Sequence, residues 1–539
     1  MKEHFRQSMA WLHTWGNLVS GWLVFFIFGC GTATVFHLEI TRWMQPERAL
    51  AIPVAAAPRA LMIEHALSYL EQHAAGAKRW DIFLPHEKHR HKQEMRPYLA
   101  VGWQSSMTGQ IDLHPISGAV VAPADVRSTH GGKAFMALHS ELHYVSPALG
   151  IRIAAAAALL ALLGIVTGVI VHRRIFQDFF LFRPGRGQRS WLDAHNVMGV
   201  MGLPFFVMII YSGLVYYNSE TLPLPIAAIY GTAQGAHEQY HGELPNEPES
   251  SGSASRPQAS VARMLEHAEQ ALGQGEVARI VIIRPEHGPL QVDLSRPYGS
   301  ELPRYESPSN TLRFDGMTGA PMAFPEYGPG IRYRWLLLSL HDAWFADAWL
   351  LWIYLVLGLV GCAMTGSGLA LWVIKRRQRH GSHASAHADI TLVARLNVAV
   401  IAGLPAAMAA FFWANRLLPL NIAQRAQWEM HALFATWLWL AIYCVWRPEK
   451  RAWVEVLALG ALAFGLLPLL NALTTDRHLG VTLPAGDWGL AGVDIGMALV
   501  GLLLGVLAWR LHRRWGCASA LYAEQARDFT GGIAGQVTK

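Results

Sequence analysis

Charge is scarce in this sequence. Asp, Glu, Lys and Arg supply 15% of its 539 residues, against about 25% in ordinary soluble domains, which excludes a typical water-soluble multidomain chain. Cysteine is scarcer still, with Cys30, Cys362, Cys444 and Cys517 making four in all. They form no C-x-x-C pair and no C-x-x-C-H, so a covalently attached haem is excluded. No strand-linked G-x-G-x-x-G occurs, so any flavin or nicotinamide belongs to a partner and not to this chain. None of the cysteines lies in the two long polar stretches, which therefore fold without disulfides.

What the chain has instead is apolar residues, at 52%, and 21 tryptophans. They are clumped into segments of the roughly 20 residues that a membrane crossing needs. Eight such segments are expected, near 15–37, 148–171, 197–217, 346–374, 396–415, 430–446, 452–473 and 490–510, the sixth being the shortest. The first lacks a small-x-small cleavage site and is read as a retained anchor, not a signal peptide. Lys and Arg set orientation. Arg173, Arg174, Arg183, Arg186 and Arg189 crowd one connection, and Lys375, Arg376, Arg377 and Arg379 another. Arg447, Lys450 and Arg451 mark a third, and Arg510, Arg513 and Arg514 follow the last segment. In an eight-span arrangement these fall on one side, so both termini are expected in the cytoplasm. The net charge of +6 is then topological and calls for no nucleic acid.

Two large segments are exported by this topology, one between spans one and two and one between spans three and four. Each reads as a helix followed by strands: "ALMIEHALSYLEQHA" then "RWDIFLP", "PYLAVGWQ" and "QIDLHPISGAVV", and "SVARMLEHAEQALG" then "ARIVIIRP", "PLQVDLSRP" and "NTLRFDGMTGAPM". The turns fall at Ser117-Gly118 and Thr318-Gly319. The expected fold is a polytopic α-helical membrane protein with two extracytoplasmic α+β units. Its divisions are 1–46 (start and span one), 47–135 (first exported unit), 136–220 (span two, basic loop, span three), 221–335 (linker and second exported unit), 336–380 (span four) and 381–539 (a C-terminal four-span bundle).

The plan is repeated. His13 precedes Gly31 by 18 residues, and His195 precedes Gly213 by the same 18. His143 precedes Thr167-Gly168, and His341 precedes Thr365-Gly366, each by 24 residues from His to Thr. This second match favours His143 over its neighbour His139 as the repeated position.

Histidines at both edges of a helix bundle suit one chemistry well. His13 and His195 open spans one and three from the cytoplasmic side, and His143 and His341 open spans two and four from the outer side. Paired neutral imidazoles are the axial ligands of low-spin b-type haem, and a pair at each face makes a two-haem path. Gly31, Gly168, Gly213 and Gly366 are candidates to lie against a flat macrocycle. His139 and His172 are alternative ligands, and His37 stands at a similar depth. The competing reading makes each histidine an interfacial amphipathic residue. His86, His89 and His91, and likewise His380, His383 and His387, read as solvated loops more than as metal sites. Asp193 is placed to orient His195 or to cap a helix.

Exported units ending in "DLHPISGAV" and "RFDGMTGAP", spans opening with "WLHTWGNLVSG", "LHSELHY", "WLDAHNVMGV" and "LLLSLHD", and the connection "VHRRIFQDFFLFRPGRGQRSWLDAHN" together resemble the PepSY-associated transmembrane family over roughly residues 5–380. The resemblance implies PepSY-like exported units, a bacterial inner-membrane location and two non-covalent b haems. It implies His13 and His195 as ligands of an inner haem, and His143 or His139 with His341 for an outer one. It further implies reduction of a periplasmic ferric-siderophore or other ferric chelate, tied to iron acquisition, with a quinol or soluble flavoprotein as donor. Arg332, Tyr333, Arg334 and Trp335, just before His341, are candidates to meet the chelate or form an interfacial belt. The alternative is a non-redox binding or regulatory membrane protein whose exported units capture an envelope peptide or protease. Transport through the C-terminal spans has little support, since Asp494 is their main intramembrane charge.

Overall fold

The computed structural model describes residues 2–47, 57–85, 99–104, 108–121, 126–172, 187–217, 224–232, 235–243, 253–285, 288–297, 307, 309–324, 327–381 and 387–536. His86, His89, His91, His383 and the arginines Arg173, Arg174, Arg183 and Arg186 lie outside the described residues. The helices, in chain order, begin with α1 (Lys2–Thr34), α2 (His37–Met44), α3 (Arg59–His73), α4 (Lys133–Ser140), α5 (Pro147–Val171) and α6 (Gln188–Tyr216). They continue with α7 (Leu224–Tyr230), α8 (Ala236–Glu243), α9 (Val261–Leu272), α10 (Pro329–Asp342) and α11 (Ala348–His380). The last are α12 (Ala388–Leu417), α13 (Arg425–Trp446), α14 (Glu449–Thr474) and α15 (Trp488–Gln536). The strands are β1 (Arg79–Phe83), β2 (Leu99–Gln104), β3 (Thr108–Leu113), β4 (Arg279–Ile283), β5 (Gln291–Ser295), β6 (Thr311–Asp315) and β7 (Pro321–Met322).

Among the described residues, seven helices are long and apolar enough to cross a membrane: α1, α5, α6, α11, α12, α14 and α15. This is a multi-span membrane protein. The sixth expected span is present as the 22-residue helix α13, but it falls outside that set of seven. Glu429, His431 and a run of tryptophans lower its mean hydropathy.

The chain divides into two compact units. One comprises Met1–Pro46, Arg127–Phe206 and Leu355–Lys539, and the other Glu47–Val126 and Val207–Tyr354. In the second, the two inserted segments do not build two separate sheets, as the sequence suggests. They share one seven-stranded antiparallel sheet of order β3-β2-β1-β4-β5-β6-β7. β1 pairs with β4 in the register Trp80↔Ile282 and Ile82↔Ile280, so each segment runs outward from a common seam. The physical reason lies in the edges: β1 and β4 would each expose an unpaired row of N–H and C=O groups, and pairing them removes both.

Helices α3 and α9 supply the apolar cover. Val261, Met264, Leu265, Ala268 and Leu272 are buried at the i, i+3, i+4, i+7 spacing of one helix face. Ser260 caps α9 by accepting from the Arg263 N–H. A continuous core joins these residues to Met62, Ile63 and Leu70 of α3 and to Trp80, Ile82, Ile280 and Ile282 of the seam. Near the seam Asp81 accepts from Arg79 Nε at 3.0 Å and from Arg279 Nη2 at 2.6 Å, tying one segment to the other by charge.

In the first unit, the C-terminal helices are part of the same body as α1 and α5, not a separate bundle. Helix α12 widens into a π turn at Val398–Ala402. There Trp22 Nε1 donates to Asn397 Oδ1 (2.9 Å), and the Asn397 amide donates to Leu369 O (3.0 Å). Further along, Trp43 Nε1 and Asn471 Nδ2 donate to the buried Asp494 carboxylate at 2.8 and 3.0 Å. Arg425 and Glu429 form a fully buried ion pair at 2.5 Å, and Glu429 also accepts from Asn415 Nδ2 (2.8 Å) and Thr129 Oγ1. The C-terminal helices thus carry more buried charge than Asp494 alone.

Candidate functional site

Four imidazoles engage a neighbouring helix in one repeated way. His13 Nδ1 lies 2.9 Å from Gly164 O, His139 Nδ1 2.9 Å from Ile27 O, His195 Nδ1 3.0 Å from Met364 O and His341 Nδ1 2.9 Å from Ile209 O. A carbonyl oxygen only accepts, so Nδ1 carries a proton in every case, and in the neutral ring Nε2 keeps its lone pair. Four residues beyond each carbonyl stands a glycine: Gly168, Gly31, Gly368 and Gly213. Their role is close approach. A β-carbon there would stand 3.1 Å from His13 Cε1, 2.7 Å from His139 Nδ1, 3.2 Å from His195 Cε1 and 2.9 Å from His341 Cε1. The glycines therefore seat imidazole rings, where the sequence suggested a macrocycle.

Three residues beyond each carbonyl is a small polar side chain. Thr167 Oγ1 lies 3.2 Å from His13 Nδ1, Ser367 Oγ 3.1 Å from His195 Nδ1 and Ser212 Oγ 3.0 Å from His341 Nδ1. Each hydroxyl donates to a carbonyl of its own helix, Leu163 O, Met364 O and Met208 O respectively, and so accepts from the imidazole N–H. The residue at the corresponding sequence position, three beyond Ile27, is the buried Cys30. Sequence reasoning found Thr167 but missed Ser212, Ser367 and Cys30. The signal available was the dipeptide of a small polar residue and glycine, repeated as Cys30-Gly31, Thr167-Gly168, Ser212-Gly213 and Ser367-Gly368.

Local structure positions these rings. His13 lies on α1 beneath Asn17, whose amide donates to His13 O at 2.7 Å. His139 lies on the short helix α4, not at the start of a span. The first turn of α4 is anchored on α2, where Thr41 Oγ1 accepts from the Gly132 N–H at 2.9 Å. His341 ends α10, likewise a short helix ahead of its span, and Tyr216 meets its ring edge-on at 6.0 Å between centroids. The neighbouring Asp342 carboxylate accepts from Tyr216 OH (3.2 Å) and Trp344 Nε1 (3.1 Å).

The other expected residues sit elsewhere. His143, which the 24-residue spacing favours, is in the connection between α4 and α5. It stacks on Phe434 at 5.2 Å with an interplanar angle of 10°. Burial, with His431 and His130 nearby, holds its pKa below the usual imidazole value. Gly366 faces Phe25 and Ile401, and the glycine equivalent to Gly168 is Gly368. His172 follows the end of α5, within electrostatic reach of both His13 and His195, its own pKa lowered by burial and then by Lys375. His195 is also within electrostatic reach of His13. His37 is buried on α2, with Nδ1 3.0 Å from Thr34 O. The rings of His380 and His387 lie 4.1 Å apart between centroids, tilted by 47°.

A neutral imidazole with its proton fixed on Nδ1 by a backbone carbonyl is the form that binds a metal through Nε2. Among the described residues no group of three or more His, Cys, Asp or Glu converges as a metal site.

Comparison with known proteins gives the lineage. A Pseudomonas aeruginosa protein, itself described as uncharacterised, is 26% identical over 372 residues, which is 65% of this chain and 87% of the relative. Residues 10–375 match the family described as the PepSY-associated TM region. That match holds His13, His139, His195 and His341 and most of the chain, and the protein belongs to the PepSY-associated TM region family.

Proposed function

We propose that this protein is a bacterial inner-membrane oxidoreductase that carries electrons through two non-covalent b-type haems to a periplasmic ferric chelate such as a ferric siderophore. The observation that carries the reading is the fourfold commitment of Nδ1–H to a backbone carbonyl by His13, His139, His195 and His341. In the neutral rings it leaves four Nε2 atoms that would be able to hold haem iron, a donor set that fits haem. His13 and His195 would hold one haem and His139 and His341 the other. His139 replaces His143 because only His139 repeats the contacts of His341. When bound, haem iron supplies reversible one-electron transfer between Fe(III) and Fe(II).

The helices supply the spacing. His13 and Gly31 are 18 residues apart on α1, about five turns and about 27 Å of rise. They thus share one face of the helix at opposite ends of a membrane crossing. His195 and Gly213 repeat this on α6. Each ferric ion reduced consumes one electron, so a quinol or reduced flavoprotein on the cytoplasmic side, giving two, serves two ferric ions. Reduction releases the metal because hard oxygen chelators hold Fe(III) better than Fe(II). The basic connections favour cytoplasmic termini, with the two PepSY-like inserted segments in the periplasm.

The test is a reduced-minus-oxidised absorption spectrum of the purified full chain with haem counted per chain. Two b haems are expected, with His13→Ala, His195→Ala, His139→Ala and His341→Ala each losing about one. A haem-free spectrum from haem-replete cells would overturn the reading and move attention to what the inserted segments bind.

A further inference from the structure

The glycines that seat His13 and His195 are each followed, on the same helix face, by a basic residue. His172 N–H donates to Gly168 O at 3.0 Å, the bond that closes α5, so His172 stands one turn beyond the glycine that seats His13. On α11, Lys375 follows Gly368 by seven residues, about 20° short of two full turns and about 10 Å along the axis. Both lie toward the helix end that the basic connections favour as cytoplasmic. All of these residues belong to the one compact unit of Met1–Pro46, Arg127–Phe206 and Leu355–Lys539. His172 is within electrostatic reach of Lys375, His13 and His195. From this placement we infer that His172 and Lys375 form a seat for anionic oxygen beside the His13 and His195 pair, and that its occupants are the propionate carboxylates of the haem those two hold. The inference rests on the two-haem reading and gives His172 a role other than axial ligation.

A b-type haem is apolar over most of its surface and carries two carboxylates on one edge. Taken out of water without a partner, a carboxylate is costly, so that edge needs donors and positive charge. An ionised carboxylate only accepts; Lys375 brings three donors and a full charge, and the imidazole of His172 brings an N–H. His172 is half-buried at the end of α5, whereas Lys375 is exposed. The imidazole therefore supplies position, and the flexible lysine stem carries charge to the bundle edge. Positive charge near the iron favours the ferrous state, so Lys375 also raises the potential of this haem. The phosphate of an anionic lipid at the same face has the same oxyanion chemistry, and the two sources differ in what depends on them.

The experiment takes the full-length purified protein and reads the midpoint of each haem and the rate at which haem passes to excess apomyoglobin. Lys375→Gln should speed the release of one haem about tenfold. It should lower the midpoint of that haem by about three- to tenfold in the reduced-to-oxidised ratio at fixed potential, or about 30–60 mV for one electron, and leave the other haem unchanged. Lys375→Arg should keep both values. His172→Gln should speed release of the same haem while two low-spin spectra persist; loss of one low-spin spectrum would make His172 an axial ligand and overturn the inference. Vesicles of phosphatidylcholine with and without phosphatidylglycerol separate the sources. Equal effects of Lys375→Gln in both support propionate, and effects confined to the anionic vesicles would assign the seat to lipid phosphate and overturn the inference. Two haems whose release and midpoints neither Lys375→Gln nor His172→Gln changes would overturn it too and leave the two-haem reading standing. Absence of haem would overturn both.

Discussion

The imidazole of His139 lies across Gly31, so close that a β-carbon at that position would stand 2.7 Å from Nδ1. The same relationship joins His341 to Gly213 at 2.9 Å, while Gly168 and Gly368 leave slightly more room, at 3.1 and 3.2 Å. Gly31→Ala must therefore displace the ring or the helix, at about 1–3 kcal/mol of overpacking. We expect Gly31→Ala and Gly213→Ala to lose most of one haem each, and Gly168→Ala and Gly368→Ala to retain more. Haem per chain, measured across the four variants, checks the order.

His143 and His139 separate in the same assay. His143 has its ring stacked on Phe434, and replacing it by alanine should cost about 1 kcal/mol of aromatic packing while leaving both haems bound. His139→Ala should remove one. Equal haem loss in the two variants would contradict the assignment.

Helix α13 should cross the membrane although its mean hydropathy is lower than that of the other seven. Its 22 residues span about 33 Å, and Leu438, Ile442 and Val445 form an exposed apolar stripe at helical spacing. Reporter fusions in the 418–424 connection and after Trp446 should therefore read opposite sides, and the two termini the same side. Fusions reading one side would leave seven crossings and termini on opposite sides.

The seam of the sheet should be sensitive to cavities on both strands. Ile82 and Ile280 are cross-strand partners, fully buried in one core. Ile82→Ala or Ile280→Ala should each cost about 2–4 kcal/mol and expose both inserted segments to protease together. Proteolysis of one segment alone would mean that the halves of the sheet are stable separately.

Arg425 and Glu429 are buried to within 1%, so Arg425→Ala leaves a carboxylate in a site built for a pair. The cost should be about 3–5 kcal/mol, read as a fall in thermal stability and membrane yield. Replacing both partners, as Arg425→Met with Glu429→Leu, should recover much of the loss, since the desolvation cost is then removed as well. A double variant no more stable than Arg425→Ala would point to Thr129 and Asn415, the other partners of Glu429, as the larger contribution.

Relations held within a single helix were legible in the sequence. The interval from His13 to Gly31, and from His195 to Gly213, is 18 residues of continuous α1 and α6. Helical geometry alone puts both members of each pair on one face. Helix and strand positions in the inserted segments were legible for a similar reason, because burial on one face imposes a period of 3.6 or 2 on the residues.

Relations that cross a connection had to await the tertiary structure. The 24-residue match of His143 to Thr167 and His341 to Thr365 runs through the turns that separate α4 from α5 and α10 from α11. A turn absorbs extra residues without disturbing the helices it joins. The equivalent seats are in fact His139 and His341, and the equivalent glycines Gly168 and Gly368. The β1–β4 seam was likewise invisible, because each segment has a complete hairpin pattern of its own and only the meeting of two free edges joins them. Composition and local period thus determined which helices and strands exist and which histidines deserved notice. Packing between elements distant in sequence decided which imidazole meets which carbonyl, because such contacts depend on the path of the chain between elements and leave no period along it.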